Sequence, residues 1–119
     1  MGTFRVRIEV GGPQRERFEL VEALVDTGAT FTVLPRSLLQ ELGVAAHARA
    51  PFVLADGREI ELELGRAWIR IGGRQEFSLV AFGDETLLGA VTLEEFRLAP
   101  DPVSRRLVEV PALLMRAAA

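Results

Sequence analysis

Cysteine is missing from this sequence of 119 residues, and so are lysine, asparagine and tyrosine. Because there is no thiol, disulfides, thiolate zinc sites and cysteine nucleophiles are excluded. Histidine occurs once, at His47, and neither an acidic residue nor a second histidine lies near it at the spacing of metal ligands. We therefore predict no metal site, and we interpret His47 as an incidental loop or surface residue.

A surplus of positive charge is also missing. All 14 basic residues are arginines, 17 acidic residues outnumber them, and the formal net charge is -3. The two kinds of charge are interspersed, whereas proteins that bind nucleic acid usually carry a basic stripe or patch. We therefore expect no nucleic acid among the partners.

Long hydrophobic runs are absent as well. Residues 1–7 contain no continuous apolar stretch, and charged and hydrophobic side chains alternate in Phe4-Arg5-Val6-Arg7, which is unlike a signal peptide or a membrane-spanning helix. We therefore expect no membrane partner and a cytoplasmic location. Hydrophobic residues still make up 49% of the chain, enough for a buried core. We predict a single domain over residues 1–119, with a tail at 112–119 that frays.

Alternating hydrophobic and polar residues predict many short strands. Residues 4–10 alternate in this way, Gly11-Gly12-Pro13 interrupts the pattern, and a second strand over about 15–25 completes a hairpin. A short apolar strand over 31–34 precedes a helix that Pro35 opens and Gly43 ends.

The second half of the chain repeats the alternation. Asp56-Gly57 predicts a two-residue hairpin turn, and Gly72-Gly73 joins two further strands. A second helix is predicted over about 91–98 and a last strand over 107–110. Strands this short and this frequent predict a mainly β fold, a closed or nearly closed β-barrel with one or two short helices.

Asp26-Thr27-Gly28 is the segment that points to chemistry. Leu24 and Val25 belong to an apolar strand, so Asp26 is delivered to the edge of the core, where a lone charge is costly. A glycine two residues later lets the backbone approach a carboxylate closely and present N–H donors to it. A surface turn is the plainer explanation for such a tripeptide, and its sequence alone does not decide between the two.

The order of the neighbouring motifs resembles that of the retropepsin-like aspartic proteases, the retroviral-type, single-domain branch. Asp26-Thr27-Gly28-Ala29-Thr30 follows a predicted hairpin, and Leu87-Leu88-Gly89 appears about 60 residues later, directly before a predicted helix. Alanine at position 29 favours the single-domain branch over the pepsin-like one. The resemblance extends from Phe4 to Val110 and implies a β-barrel of the acid-protease type, in a bacterial or archaeal member of the family.

The resemblance also implies roles for particular residues. Asp26 would be the catalytic carboxylate of an endopeptidase, paired with Asp26 of a second copy in a homodimer that acts on peptides or proteins without a cofactor. Asp56 and Gly57 would form the tip of a flap over the substrate, although this segment has less glycine than a viral flap. The residues that would support the active-site loop are Thr27, Gly28, Ala29, Thr30, Leu88 and Gly89.

Other candidates and other functions remain at this point. Asp84-Glu85 is better interpreted as a solvated turn than as a second catalytic acid, and Trp68 as packing. The serines lack the setting of a serine hydrolase nucleophile; they are Ser37, Ser78 and Ser104. Two rival functions are a retropepsin-like domain kept for binding or assembly without turnover, and a small β-barrel in which the Asp-Thr-Gly tripeptide is a coincidence.

Overall fold

The computed structural model describes residues 3–113 as a mainly β structure with two short helices, as predicted. The elements are β1 (Arg5–Gly11), β2 (Phe18–Val25), β3 (Thr32–Pro35), α1 (Arg36–Glu41), β4 (Ala46–Val53), β5 (Glu59–Ile71), β6 (Arg74–Gly83), β7 (Leu87–Leu88), α2 (Ala90–Phe96), β8 (Leu98–Asp101) and β9 (Arg106–Glu109). Within this part of the chain no helix has both the length and the apolar character needed to span a membrane.

Seven strands form one sheet in the order β1-β2-β7-β3-β6-β5-β4, and β1 also pairs with β5. Strand β1 lies at one end of this order, and β5 lies next to the other end. Because β1 pairs with β5 as well as with β2, the sheet has to curve back on itself. The predicted β1–β2 hairpin is confirmed, although β2 begins at Phe18 and not near residue 15. Arg15 instead closes a turn by donating its N–H to Gly12 O, in a left-handed conformation that ends the strand pattern.

The short strand β7 lies between β2 and β3. It is parallel to β2, with Leu24 opposite Leu87, and antiparallel to β3, with Val33 opposite the same Leu87. The chain that joins β2 to β3 therefore leaves and re-enters the sheet on either side of β7. This arrangement places the segment that contains Asp26 over the start of α2.

The core is formed by the inward side chains of the sheet together with one face of each helix. Its residues are Phe4, Ile8, Val10, Ala23, Val25, Leu34, Leu39, Val44, Ala67, Ile69, Val80, Phe82, Leu88, Leu93 and Phe96. Both ends of the Asp26 segment, Val25 and Leu34, belong to this cluster. The segment therefore starts and finishes at fixed points.

Helix α1 ends as predicted and begins one residue later. Pro35 is the N-cap and the last residue of β3, so the first helical residue is Arg36. Gly43 has φ +81, and the N–H of Val44 reaches Leu39 O at 2.9 Å. This bonding pattern is the common one for helices that end at a glycine.

Helix α2 ends earlier than predicted. Arg97 takes the left-handed conformation with φ 54, so the helix stops at Phe96. Leu98 then starts β8, a strand that the sequence pattern did not predict, which pairs with β9. The N–H of Val110 also reaches Arg97 O at 2.9 Å, so pairing with a distant segment outweighs the local helical pattern here.

The sequence pattern predicts separate strands over residues 60–64 and 67–71, but the structure has one continuous strand, β5, with Gly65 inside it. A Cβ at Gly65 would come within 2.7 Å of Ala45 O and 3.1 Å of the Phe82 ring. Glycine within a strand often marks such a close approach.

The turn at Asp56-Gly57 differs from the predicted two-residue form. The N–H of Leu54 donates to Arg58 O, which leaves three residues in the turn, and Gly57 has φ +89. A type I turn followed by a left-handed glycine is the usual three-residue alternative. The predicted frayed tail lies outside the described residues from position 114 onward.

Candidate active site

Asp26 directly follows β2, where Val25 is still buried in the core. Its backbone N–H donates to Leu88 O at 3.0 Å, so β7 continues the pairing of β2 past the last strand residue. The side chain is half-buried. The sequence-based expectation that an acid is delivered to the edge of the core therefore matches its position.

The carboxylate of Asp26 is held by its own loop. Oδ1 accepts a hydrogen bond from the N–H of Gly28 at 3.0 Å, and Asp26 O accepts one from the N–H of Ala29 at 3.1 Å. A Cβ at Gly28 would lie 3.2 Å from Oδ1, close enough to disturb this bond. Within residues 3–113, Oδ2 and the exposed side chain of Thr27 make no hydrogen bond.

Backbone carbonyls of the Asp26 loop cap helix α2. The first N–H groups of a helix have no partner inside the helix, and no side chain satisfies them here. Instead the N–H of Ala90 donates to Ala29 O at 2.8 Å, and that of Val91 donates to Thr30 O at 2.9 Å. The loop and the helix therefore fix each other, which gives Ala29 and Thr30 a backbone role.

Gly89 stands where the loop and α2 come closest. A Cβ at this position would meet Phe31 C and O at 2.5 Å and Ala29 O at 2.9 Å. These are backbone atoms, which cannot move aside as a flexible side chain could. Leu88 beside it is fully buried.

Three buried hydroxyl residues beneath the loop were not predicted as part of the site. They are Thr32, Ser78 and Thr92, and none of them is exposed to solvent. Each interrupts an apolar run of the sequence, and a lone hydroxyl in such a run is the signal that could have revealed them. The sequence pattern predicts no role in the site for Thr32 or Thr92, and Ser78 is a candidate only as a nucleophile.

The predicted flap tip lies at the exposed end of the β4–β5 hairpin. Oδ1 of Asp56 accepts the N–H of Arg58 at 3.0 Å, and this bond, together with the Arg58 guanidinium, lowers the pKa of Asp56. Close to the turn, where Phe52 is paired with Ile60, the rings of Phe52 and Phe31 lie 5.8 Å apart. The β4–β5 hairpin therefore packs against Phe31, which follows the Asp26 loop.

The remaining candidates lie elsewhere. His47, Asp84 and Glu85 are exposed, and Trp68 packs on the Phe77 ring at 5.0 Å. Two cavities of about 430 and 140 Å³ have linings that do not include Asp26. Over residues 3–113 no group of acidic or histidine side chains has the arrangement of a metal site.

A likeness to solved structures defines the class of fold. The chain is similar to a solved structure described as EIAV protease complexed with the inhibitor HBY-793, with 20% sequence identity and a TM-score of 0.58. The match covers 80% of this chain and 88% of that one. At this identity the likeness shows the fold, which is that of a retroviral protease.

The family follows from the sequence itself. A family model described as aspartyl protease matches residues 6–92, which include Asp26 and Gly89. The chain therefore belongs to the aspartyl protease family, and this membership supports an aspartic peptidase function. A comparison with curated proteins found no match.

Proposed function

We propose that this protein is an aspartic endopeptidase whose active site is shared by two identical chains. Each copy would supply Asp26, and water held between the two carboxylates would attack the peptide bond. The observation that carries this proposal is the anchoring of Asp26. The loop is fixed to β7 and α2 by backbone hydrogen bonds, while Oδ2 makes none within residues 3–113.

The chemistry requires two carboxylates that share one proton. Two like charges at hydrogen-bond distance cannot both ionise, so one carboxyl group stays protonated while the other is a base. The base takes a proton from water, and the protonated partner donates a hydrogen bond to the carbonyl oxygen of the substrate. The Asp-Thr-Gly tripeptide occurs once in the sequence. A symmetric dimer would place the same residue twice around one axis.

The likeness to a protease that binds an inhibitor supports a peptide as the substrate. In this chain Phe31, Phe52 and Ile60 would form one apolar wall of the cleft. Phe52 and Ile60 are opposite each other in the β4–β5 register, and Phe52 contacts Phe31. Asp56 and Gly57 would close over the substrate at the tip of this hairpin. The curved sheet supports the predicted closed or nearly closed barrel as the body of each half.

Two segments are candidates for the dimer interface, because terminal strands can pair across a two-fold axis: residues 3–10 and 107–110. Strand β1 pairs with β2 along its whole length and with β5 at Glu9–Gly11, so its second edge is free only at residues 5–8. In the described part of the chain, β9 pairs with β8 alone. We favour the β8–β9 pair as the interface, because a free strand edge readily pairs with another chain. A cytoplasmic location and a bacterial or archaeal origin remain predictions.

Subunit mixing tests the shared site. Wild-type chains would be mixed with increasing amounts of Asp26→Asn chains, and cleavage of an unstructured protein would be measured. We expect the inactive chains to suppress wild-type activity because they form heterodimers with one carboxylate. Asp84→Asn chains carry the same change of charge at an exposed position and should suppress nothing.

The concentration dependence gives a second measure of the same idea. Specific activity should fall on dilution once the dimer dissociates. A monomer in sedimentation experiments that cleaves at full specific activity would contradict the shared site. Absence of cleavage by wild type under all conditions would instead favour the rival function, a binding or assembly domain.

A further inference from the structure

We propose that the buried hydroxyl cluster, defined as Thr32, Ser78 and Thr92, positions the catalytic aspartate through a single peptide plane. The proposal rests on the proposed function, since it concerns how Asp26 is oriented for catalysis. The cluster touches no reacting atom, so its members are positioning residues. Their role would be to fix the peptide group between Leu88 and Gly89.

The cluster connects three different elements. Thr32 lies at the start of β3, Ser78 in β6 and Thr92 in α2. The hydroxyl of Thr32 donates to Thr92 Oγ1 at 2.6 Å, and Thr92 and Ser78 share a hydrogen bond of 2.9 Å. All three side chains are completely shielded from solvent. The helix and both strands are therefore joined by side-chain bonds that water does not weaken.

The end of the cluster reaches the peptide group between Leu88 and Gly89. The N–H of Gly89 donates to Thr32 Oγ1 at 3.0 Å. On the opposite side of the same peptide group, Leu88 O accepts the N–H of Asp26 at 3.0 Å. Because a peptide group is rigid and planar, a rotation that weakens one of these bonds also weakens the other. The Thr32 hydroxyl thereby controls the direction of the acceptor that holds the Asp26 backbone.

A hydroxyl group is a costly way to fill space in a core. Burying it without a hydrogen bond is unfavourable, and valine would fill the position of Thr32 with nearly the same shape. If packing were the only requirement, an apolar residue would serve. A hydrogen bond to the hydroxyl fixes the orientation of the peptide group that donates it, whereas a hydrophobic contact has no preferred direction. Small displacements of a catalytic group have large effects on rate, so this orientation would matter for activity.

The substitution Thr32→Val tests the proposal, since it removes the hydroxyl and keeps the branched shape. We expect kcat to fall roughly 10- to 100-fold, with KM little changed, because the substrate is still bound while Asp26 is misaligned. Thr32→Ser keeps the hydroxyl and should restore most of kcat. Ser78→Ala, at the far end of the cluster, should have a smaller effect in the same direction.

The matched control is Val10→Ala, which weakens the core in β1 without touching the cluster. Where both variants are folded, Val10→Ala should keep the wild-type kcat even when it lowers the free energy of unfolding as much as Thr32→Val does. A Val10→Ala variant that loses as much kcat as Thr32→Val would mean that stability alone explains the effect. A Thr32→Ser variant as slow as Thr32→Val would also overturn the proposal.

A second measurement does not depend on activity. Amide hydrogen exchange followed by NMR reports the protection of the N–H groups of Asp26 and Gly89 directly. In Thr32→Val both should exchange faster than in Val10→Ala of matched stability. Unchanged protection at both amides would overturn the positioning role, whether or not the wild-type protein cleaves peptides. If the wild-type protein does not cleave peptides but both amides exchange faster in Thr32→Val, the proposed function is refuted. The link between the Thr32 hydroxyl and the Asp26 backbone then still holds.

Discussion

The loop at Asp26 and the hairpin tip at Asp56 use the same local hydrogen bond, and they differ in what holds them. In each, Oδ1 of the aspartate accepts the backbone N–H two residues further along, at 3.0 Å. Around Asp26, the loop backbone also bonds to Leu88 and to the start of α2. Around Asp56, the hydrogen bonds stay within the tip, between Leu54 and Arg58.

The two aspartates share the same turn, so the turn by itself does not distinguish a candidate catalytic carboxylate. Their burial and their charged partners do. Asp56 is exposed and has a guanidinium partner in Arg58, so its charge is compensated locally. Asp26 is half-buried, and no ion pair to it occurs among residues 3–113. A carboxylate that is fixed by its backbone and left without a countercharge is suited to act on a substrate. A carboxylate in an exposed ion pair at a turn stabilises the turn and has its charge compensated there.

The largest expected effect is on catalysis. Asp26→Asn should lower peptide cleavage by roughly 10²- to 10⁴-fold, the scale of general acid–base catalysis, because asparagine cannot share the proton. Asp56→Asn makes the same change at the flap tip and should lower the rate far less, because Asp56 would lie over the substrate without sharing the catalytic proton. The rates would be measured on one unstructured substrate, with circular dichroism to check folding. Equal losses in the two variants would show that the two loops do not differ as described.

A smaller effect is expected on stability. Gly89→Ala brings a Cβ against the backbone of Ala29 and Phe31 and should lower the free energy of unfolding by about 3 kcal/mol. Gly57→Ala meets no atom within 4 Å and costs only the left-handed backbone conformation, about 1 kcal/mol. Urea denaturation measures both. A Gly89→Ala variant as stable as wild type would mean that the loop is not packed against α2 as described.

The smallest effect concerns pH. The N–H and guanidinium of Arg58 lower the pKa of Asp56 in the folded state below its ordinary value of 3.8. The unfolded chain then binds the proton more readily, so this contribution to stability is present above about pH 4 and is lost as the pH falls through the lowered pKa. Asp56→Asn should therefore lose less stability than wild type between about pH 5 and pH 2. An identical acid dependence of the urea midpoint in both proteins would contradict this prediction.

Local pattern in the sequence was sufficient for the features that depend on neighbouring residues. Alternation predicted the β1–β2 hairpin. The glycine at position 43 predicted the end of α1, because glycine readily adopts the positive φ that it has there. An acidic residue directly after an apolar strand, followed by glycine, singled out Asp26. In each case the physical cause acts within a few residues, so it is visible in a short window of sequence.

Tertiary structure decided what depends on distant partners. No local pattern shows that β7 lies between β2 and β3, because parallel pairing leaves no mark on a two-residue strand. Helix α2 ends at Arg97, whose carbonyl accepts the N–H of Val110. Gly65 lies where Ala45 and Phe82 come too close to β5 for a side chain. The bond from Thr32 to the peptide group of Gly89 joins residues 57 positions apart. Hydrogen bonds and close approaches over such separations form only once the whole chain is folded, and they are what hold Asp26 in place.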